Sequence, residues 1–210
     1  MPAADDFIDL ELRRLPTQSR AVATFDRVLD TTASLLESHG FDALNTNLIA
    51  ETSGVSVRAI YRYFPNKHAI VGELARRMGR QWRAALGTAG ELQDPSLPWR
   101  DVWCSYIDAF VAAVRATNGS RAVLSAMRAD PELRKVDEEA NAEYINDITD
   151  VLENRARSTP PEEIRAVATV LIRSTVAVLD EAFESSEAEA ARLIAVLKAM
   201  HIGLLGDYLD

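Results

Sequence analysis

An all-α fold is what the sequence predicts, and three observations predict it. Apolar residues recur at helical spacing almost throughout the 210 residues. No segment alternates β-branched and polar residues as a half-buried strand would. Glycines, prolines and capping residues fall where about nine helices would start and stop. With 48% hydrophobic residues, the chain has enough apolar material for a substantial core.

The first helix is expected from Ser19 to Ser38, with Val22, Phe25, Val28, Leu29, Leu35 and Leu36 on one face and Gly40 placed to end it. Thr46 or Asn47 is placed to cap a short second helix, "NLIAETS", which Gly54 stops. Ser56 caps a third, "VRAIYRYF". Pro65 ends that one, because it lacks an amide donor and restricts Phe64. A fourth helix runs from Lys67 to Leu86, and "GTAGELQDPSLP" after it reads as a loop and module boundary. Helices over Trp99–Thr117 and Arg121–Ala129 follow. Asp130 as cap and Pro131 in the first turn open the next, to about Arg157. Thr159 with Glu162, and Ser186 with Glu189, form capping-box patterns for the last two, ending near Phe183 and Leu205. The organisation expected is a flexible arm over 1–18, a three-helix module over 19–66, and a helical body over 67–210 with 67–86 as connector.

Composition excludes several classes. Cys104 is the only cysteine, and His39, His68 and His201 are scattered, so neither a disulfide framework, a metal site nor a cofactor is expected. The acidic start lacks a secretion signal, and the longest apolar run is broken by Arg173 and Asp180, so the expectation is a cytoplasmic protein with no membrane partner. There is no Gly-rich phosphate loop, HExxH or GxSxG. The pairs Glu138/Glu139 and Glu162/Glu163 sit at helix starts or on acidic faces, where capping and solvation explain them. An enzyme is not expected.

The net charge of −9 hides an asymmetry. Residues 13–85 carry eleven Lys and Arg against six carboxylates, whereas residues 86–210 carry twelve against twenty-two. A basic end on an acidic body suggests that the basic end meets a polyanion. Two short helices separated by a glycine turn make a helix-turn-helix. Val57, Ile60 and Phe64 recur at i, i+3 and i+7 and define the inward face of the second. Arg58, Ala59 and Arg62, flanked by Tyr61 and Tyr63, are left outward. Such a surface suits DNA: a guanidinium donates two hydrogen bonds to guanine, and a small Ala59 lets the backbone approach base edges.

The stretch "LIAETSGVSVRAIYRYFPNK" resembles the TetR family of bacterial transcriptional regulators, with Ile49, Ala50, Gly54, Val55, Ser56, Tyr61, Tyr63, Phe64 and Lys67 matching its signature. Ser53 and Ile60 replace the usual alanine and leucine, and Asn45 stands where the family often has Ser or Thr. The resemblance implies that Thr46, Asn47, Tyr61, Tyr63 and Lys67 hold phosphates, and that Val57, Arg58, Ala59 and Arg62 face bases of an operator duplex; Ser56 opens that helix with amides that attract phosphate. It assigns the acidic body to homodimerisation and to binding a small effector. The last two helices are too apolar for burial on one side only, and Val170, Ser174, Val178, Ile194, Leu197, His201 and Leu205 are the expected dimer contacts. Trp103, Tyr106, Phe110, Met127, Tyr144 and Phe183 are the candidate pocket residues for an apolar or aromatic effector. The function implied is a repressor that the effector releases from its operator. The competing class is an effector-binding protein or enzyme with a vestigial DNA module.

Overall fold

The computed structural model describes residues 8–86, 89–94, 96–156 and 158–209. Among the described residues all regular structure is helical. The helices are α1 Ser19–Ala43, α2 Thr46–Ser53, α3 Val57–Tyr61, α4 Lys67–Ala85, α5 Ala89–Gln93, α6 Trp99–Ala116, α7 Ser120–Ala129, α8 Leu133–Arg155, α9 Pro161–Glu184 and α10 Glu187–Leu209. The helix beyond the expected nine is α5, inside the stretch read as a loop. Leu92 buries into the core there, and Arg155 donates to the carbonyls of Leu92 at 2.5 Å and of Asp94. A long-range guanidinium thus satisfies carbonyls at the end of a helix too short to sustain itself.

Local punctuation explains most boundaries. Gly40 adopts φ 74° and breaks the helical path of α1, but one more turn follows it. The cap of α2 is Asn45, not Thr46 or Asn47: its side chain accepts from the Leu48 amide at 2.9 Å. Asp130 does cap, accepting from the amides of Glu132 and Leu133 at 2.9 and 3.1 Å, although α8 proper begins only at Leu133. The Thr159 capping box does not form; Pro160 occupies the cap position of α9, so Thr159 lies one residue too early.

The chain divides into two compact units, Met1–Arg80 with Thr117–Asp137, and Gln81–Ala116 with Glu138–Asp210. The division expected from the sequence placed the boundary at residue 66 instead, with 67–86 as connector. In the first unit Phe25, Leu29 and Leu36 of α1 share a core with Ile49, Ile60, Phe64, Ile70 and Leu74. The later helix α7 packs on α1, burying Val123, Ala126 and Met127. Gly119 permits that approach: its φ is 73°, and a Cβ there would lie 2.9 Å from the Ala33 carbonyl oxygen.

In the second unit α9 and α10 form a helical hairpin, and their inner faces pack with α6. Ile194, Leu197, His201 and Leu205 fall at i, i+3, i+7 and i+11 of α10 and are buried inside this chain. They are therefore core residues rather than surface for a second subunit, which corrects the expected dimer contacts. Ser174 and Val178 are half-buried, and of the seven only Val170 is exposed. The outward face of the hairpin carries Val170, Val196 and Met200, 53%, 68% and 47% exposed, among exposed Ala191, Ala195, Ala199 and Gly203.

His201 is fully buried with each ring nitrogen partnered. Trp103 Nε1 donates to its Nδ1 at 3.3 Å, which leaves the proton on Nε2 facing Ser174 Oγ at 2.9 Å. The Ser174 hydroxyl donates onward to the Val170 carbonyl at 2.7 Å. This chain of bonds fits a neutral imidazole, and burial lowers its pKa from 6.5 to about 4. Below pH 6.5 the unfolded chain takes up a proton here that the folded chain refuses until about pH 4. Stability is therefore full above pH 6.5 and falls as the pH drops towards 4, by roughly 3 kcal/mol in all. Urea unfolding of the protein and of His201→Gln at several pH values should show their difference shrinking by that order; parallel curves would contradict a buried neutral imidazole.

Candidate nucleic-acid interface

The site grows from two capped turns. Asn45 opens α2, and Ile49, Ala50 and Ser53 turn inward. Gly54, at φ 66° and ψ 19°, reverses the chain in the left-handed region that side chains disfavour. Val55 buries beside it, and Ser56 Oγ accepts from the Ala59 amide at 3.3 Å to open α3. Ile60 and Phe64 are fully buried, Phe64 stacked 4.8 Å from Phe25. With that side fixed, Arg58 and Arg62 project together into solvent, Ala59 and Val57 being half-buried between them and the core.

The third helix is shorter than its pattern predicts. The amides of Tyr63 and Phe64 both bond to the Ile60 carbonyl, at 2.9 and 3.0 Å, so the last turn tightens and α3 ends at Tyr61. Tyr63 consequently swings inward; it is 5% exposed, with its ring edge-on to Phe25 at 5.6 Å. This corrects its placement on the outward face. Tyr61 stays outward, its hydroxyl 3.1 Å from Thr46 Oγ1, which pairs two of the expected phosphate contacts. Asn47 and Ser56 are exposed beside them. Lys67 is already engaged: Nζ donates to the Phe41 carbonyl at 3.1 Å and lies 4.3 Å from the Phe41 ring centroid.

An open groove runs between α3, the start of α1 and the extended segment before it. Among the described residues, Arg13, Arg20, Arg58 and Arg62 line it, with the hydroxyls of Thr24, Ser56 and Tyr61 and no carboxylate. Two other cations of this unit are paired instead: Arg77 reaches Asp30 at 2.6 Å, and Arg80 reaches Glu73 at 2.8 Å. The groove therefore gathers guanidiniums that face no acid among its described lining residues. Arg20 and Thr24 were not among the residues expected here. Their signal was only the position of the first turn of α1, which says nothing until the preceding segment is known to pack against the module.

The pocket candidates are divided between the units. Met127 is buried in the first unit. Trp103, Tyr106, Phe110, Tyr144 and Phe183 all pack in or against the core of the second. Trp103 stacks on Tyr106 at 5.7 Å, and Phe110 stands edge-on to both Tyr144, at 5.7 Å, and Trp82, at 6.1 Å. The Tyr144 hydroxyl is buried with no hydrogen-bond partner among the described residues. Burial raises the Tyr106 pKa to about 12 and raises that of Tyr144 further, so both phenols stay neutral. Arg83, beside them, is held by Glu143 and by Asp147 at 2.7 Å.

Known proteins share this arrangement. Residues 28–74 match the bacterial regulatory proteins of the tetR family, and residues 98–205 match the tetracyclin repressor-like C-terminal domain. The chain belongs to the TetR family. Its helix-turn-helix falls within the first matched region, the second spans α6 to most of α10, and TetR-family proteins are regulators rather than enzymes. Over 55 residues it is 42% identical to the HTH-type transcriptional repressor KstR of Rhodococcus jostii, which covers 26% of each chain. The match thus spans about a quarter of that repressor's length. A TetR-family regulator from Streptomyces coelicolor superposes with a TM-score of 0.65 at 22% identity, over 89% of this chain and 99% of that one. SmeT in complex with triclosan superposes with a TM-score of 0.70 at 16% identity, over 90% and 92%; SmeT is the repressor of a Stenotrophomonas maltophilia multidrug efflux pump. No helix among the described residues of this TetR-family chain is long and apolar enough to cross a membrane.

The two kinds of groove arginine should separate on mutation. Arg62→Ala is expected to cost about 1–3 kcal/mol of duplex binding and to relax preference at one base position per half-site. Arg20→Ala should instead weaken all duplexes alike and reduce the salt slope by about one. Competition with base-substituted duplexes at several salt concentrations reads both; identical effects of the two would contradict the division.

Proposed function

We propose that this TetR-family chain is a homodimeric, sequence-specific operator-binding repressor that a small apolar effector releases from DNA. The observation that carries the reading is the groove along α3, where four guanidiniums gather without a carboxylate among the described residues, in a chain of net charge −9. Arg58 and Arg62 face the bases, and Thr46, Asn47, Tyr61 and Arg20 hold phosphates on either side. A second copy gives the paired heads that a two-fold-related operator requires.

The outward face of the α9–α10 hairpin supports the dimer. Val170, Val196 and Met200 form an apolar strip there, and the alanines and Gly203 between them let a partner helix come close. Two such hairpins make a four-helix interface. The aromatic group in the second unit supports an apolar effector with a single hydrogen-bond acceptor, which the buried Tyr144 hydroxyl lacks. An anion suits the site poorly, because Glu143 and Asp147 outnumber Arg83 beside it. Trp82 is on α4, the same helix that begins at Lys67 beside the reading head. An effector that displaces Trp82 from Phe110 therefore acts on α4, and through it on the spacing of two heads.

Selection of bound sequences from a random duplex pool tests the core of the reading; no enriched, two-fold-related sequence would overturn it. For the dimer, Val196→Asp should give a folded monomer in sedimentation, whereas Leu197→Asp should unfold the chain, since Leu197 is core. A folded dimer from Val196→Asp would remove the hairpin face as the interface. For the switch, a compound that lowers operator affinity about 100-fold, roughly 2.7 kcal/mol, must itself bind 100-fold more weakly to the operator complex. Calorimetry with and without saturating operator should show that reciprocal loss; equal affinities would mean that control lies elsewhere.

A further inference from the structure

The segment ahead of α1 was expected to be a flexible arm, and from residue 8 onward it is not. Ile8, Leu10 and Leu12 are half-buried while Asp9, Glu11 and Arg13 are exposed, the alternation of an extended strand laid on a surface. It is fastened at points far apart in sequence. The Arg13 amide donates to the Tyr63 carbonyl at 2.8 Å, and Arg13 Nη1 donates to the Tyr61 carbonyl at 3.1 Å. Asn66 Nδ2 donates to the Asp9 carbonyl at 2.8 Å, and Arg76 Nη1 approaches the Leu10 carbonyl at 3.5 Å.

Two of those four bonds end on carbonyls at the exit of the reading helix, one on its last residue, Tyr61, and one on Tyr63 in the turn that follows. These belong to the groups a helix terminus leaves without intrahelical partners. A helix of five residues has almost no internal bonding of its own, so its pose depends on what holds its ends. Ser56 holds one end; Arg13 holds the other.

We infer that residues 9–13 form a strap that sets the pose of α3 on DNA, with Arg13 and Asn66 as positioning residues. This rests on the operator-binding reading for its DNA consequence, but not for the strap itself. The strap's own charge makes the inference sharp. Residues 1–12 contain Asp5, Asp6, Asp9 and Glu11 and no Lys or Arg. Deleting them removes four negative charges from a DNA-binding protein, and by electrostatics alone that strengthens binding to every duplex. If the strap positions α3, the deletion does the reverse for the operator, because part of the binding energy goes into ordering the helix.

The experiment compares the unmodified protein, the deletion of residues 1–12, and Asn66→Ser. Asn66 Oδ1 also accepts from the Ala69 amide at 2.8 Å at the start of α4. Serine keeps that cap, carries no charge and loses only the reach to Asp9. Both variants are expected to bind the selected operator about tenfold more weakly, with a smaller loss on an unrelated duplex and, for Asn66→Ser, an unchanged salt slope. Hydrogen exchange without DNA should show the Ile60–Phe64 amides exchanging faster in both variants, at an unaltered circular-dichroism melting profile for the rest of the chain. Operator binding as tight as or tighter than the unmodified protein's, with unchanged exchange in α3, would overturn the strap. If the unmodified protein selects no sequence at all, the regulator reading fails, and the exchange measurement alone decides whether the strap holds the helix.

Discussion

A helix of five residues cannot stand by itself in water, because nucleation costs more than one turn of hydrogen bonds returns. Everything that makes this chain a DNA reader depends on overcoming that cost at α3. The burial of Ile60 and Phe64 against Phe25 supplies the largest share, since fully burying side chains of this size contributes about 1.5–3 kcal/mol each. Gly54 and Ser56 set the entry, the strap holds the exit, and α1 provides the wall. The later helix α7 stiffens that wall through the close contact of Gly119 with Ala33. The two exposed arginines are the visible product of an arrangement whose energy lies on the opposite face.

What was legible in the sequence follows the range of the interaction that decides it. Gly54, Ser56 and Asp130 are read correctly because a turn or cap is settled within three residues. The inward residues Ile60 and Phe64 were legible because one face of α3 is apolar and the other is not. Tyr63 was not. Its position follows from the tightened turn at Ile60, a shift of one residue's rotation that periodicity assumes away. The N-terminal segment was misread for a different reason: its fastenings lie about fifty residues or more away, and an acidic stretch with alternating apolar residues looks the same free or docked.

The hairpin shows a further limit. Helix α10 is apolar on two sides, so its periodicity cannot say which side meets its own chain and which a partner. In the structure the side packed on its own chain and the side left outward differ in residue size. The inner stripe of Ile194, Leu197, His201 and Leu205 includes large side chains and one polar group whose needs Trp103 and Ser174 meet. The outer face has mainly Ala and Gly between Val196 and Met200. Met127 was grouped with residues of the other unit on similar grounds, since an aromatic or sulfur-bearing core residue carries no mark of the unit to which it belongs.

The charge distribution connects these parts. Acid dominates residues 86–210, which disfavours a polyanion there, whereas the groove along α3 gathers cations. A single groove of four cations gives modest affinity that salt readily screens. Two grooves at a fixed separation multiply that affinity, because the second head binds at the effective concentration set by the first. In the proposed dimer the gain requires rigidity on both sides of each head: α3 must not shift on its own module, and the outer faces of two hairpins must not slide on each other. A strap that is bonded to the end of α3, and a hairpin surface of small residues that admits close packing, meet those two requirements at opposite ends of the chain. Selectivity in such a protein is then a property of how firmly two short helices are held, as much as of the arginines they present.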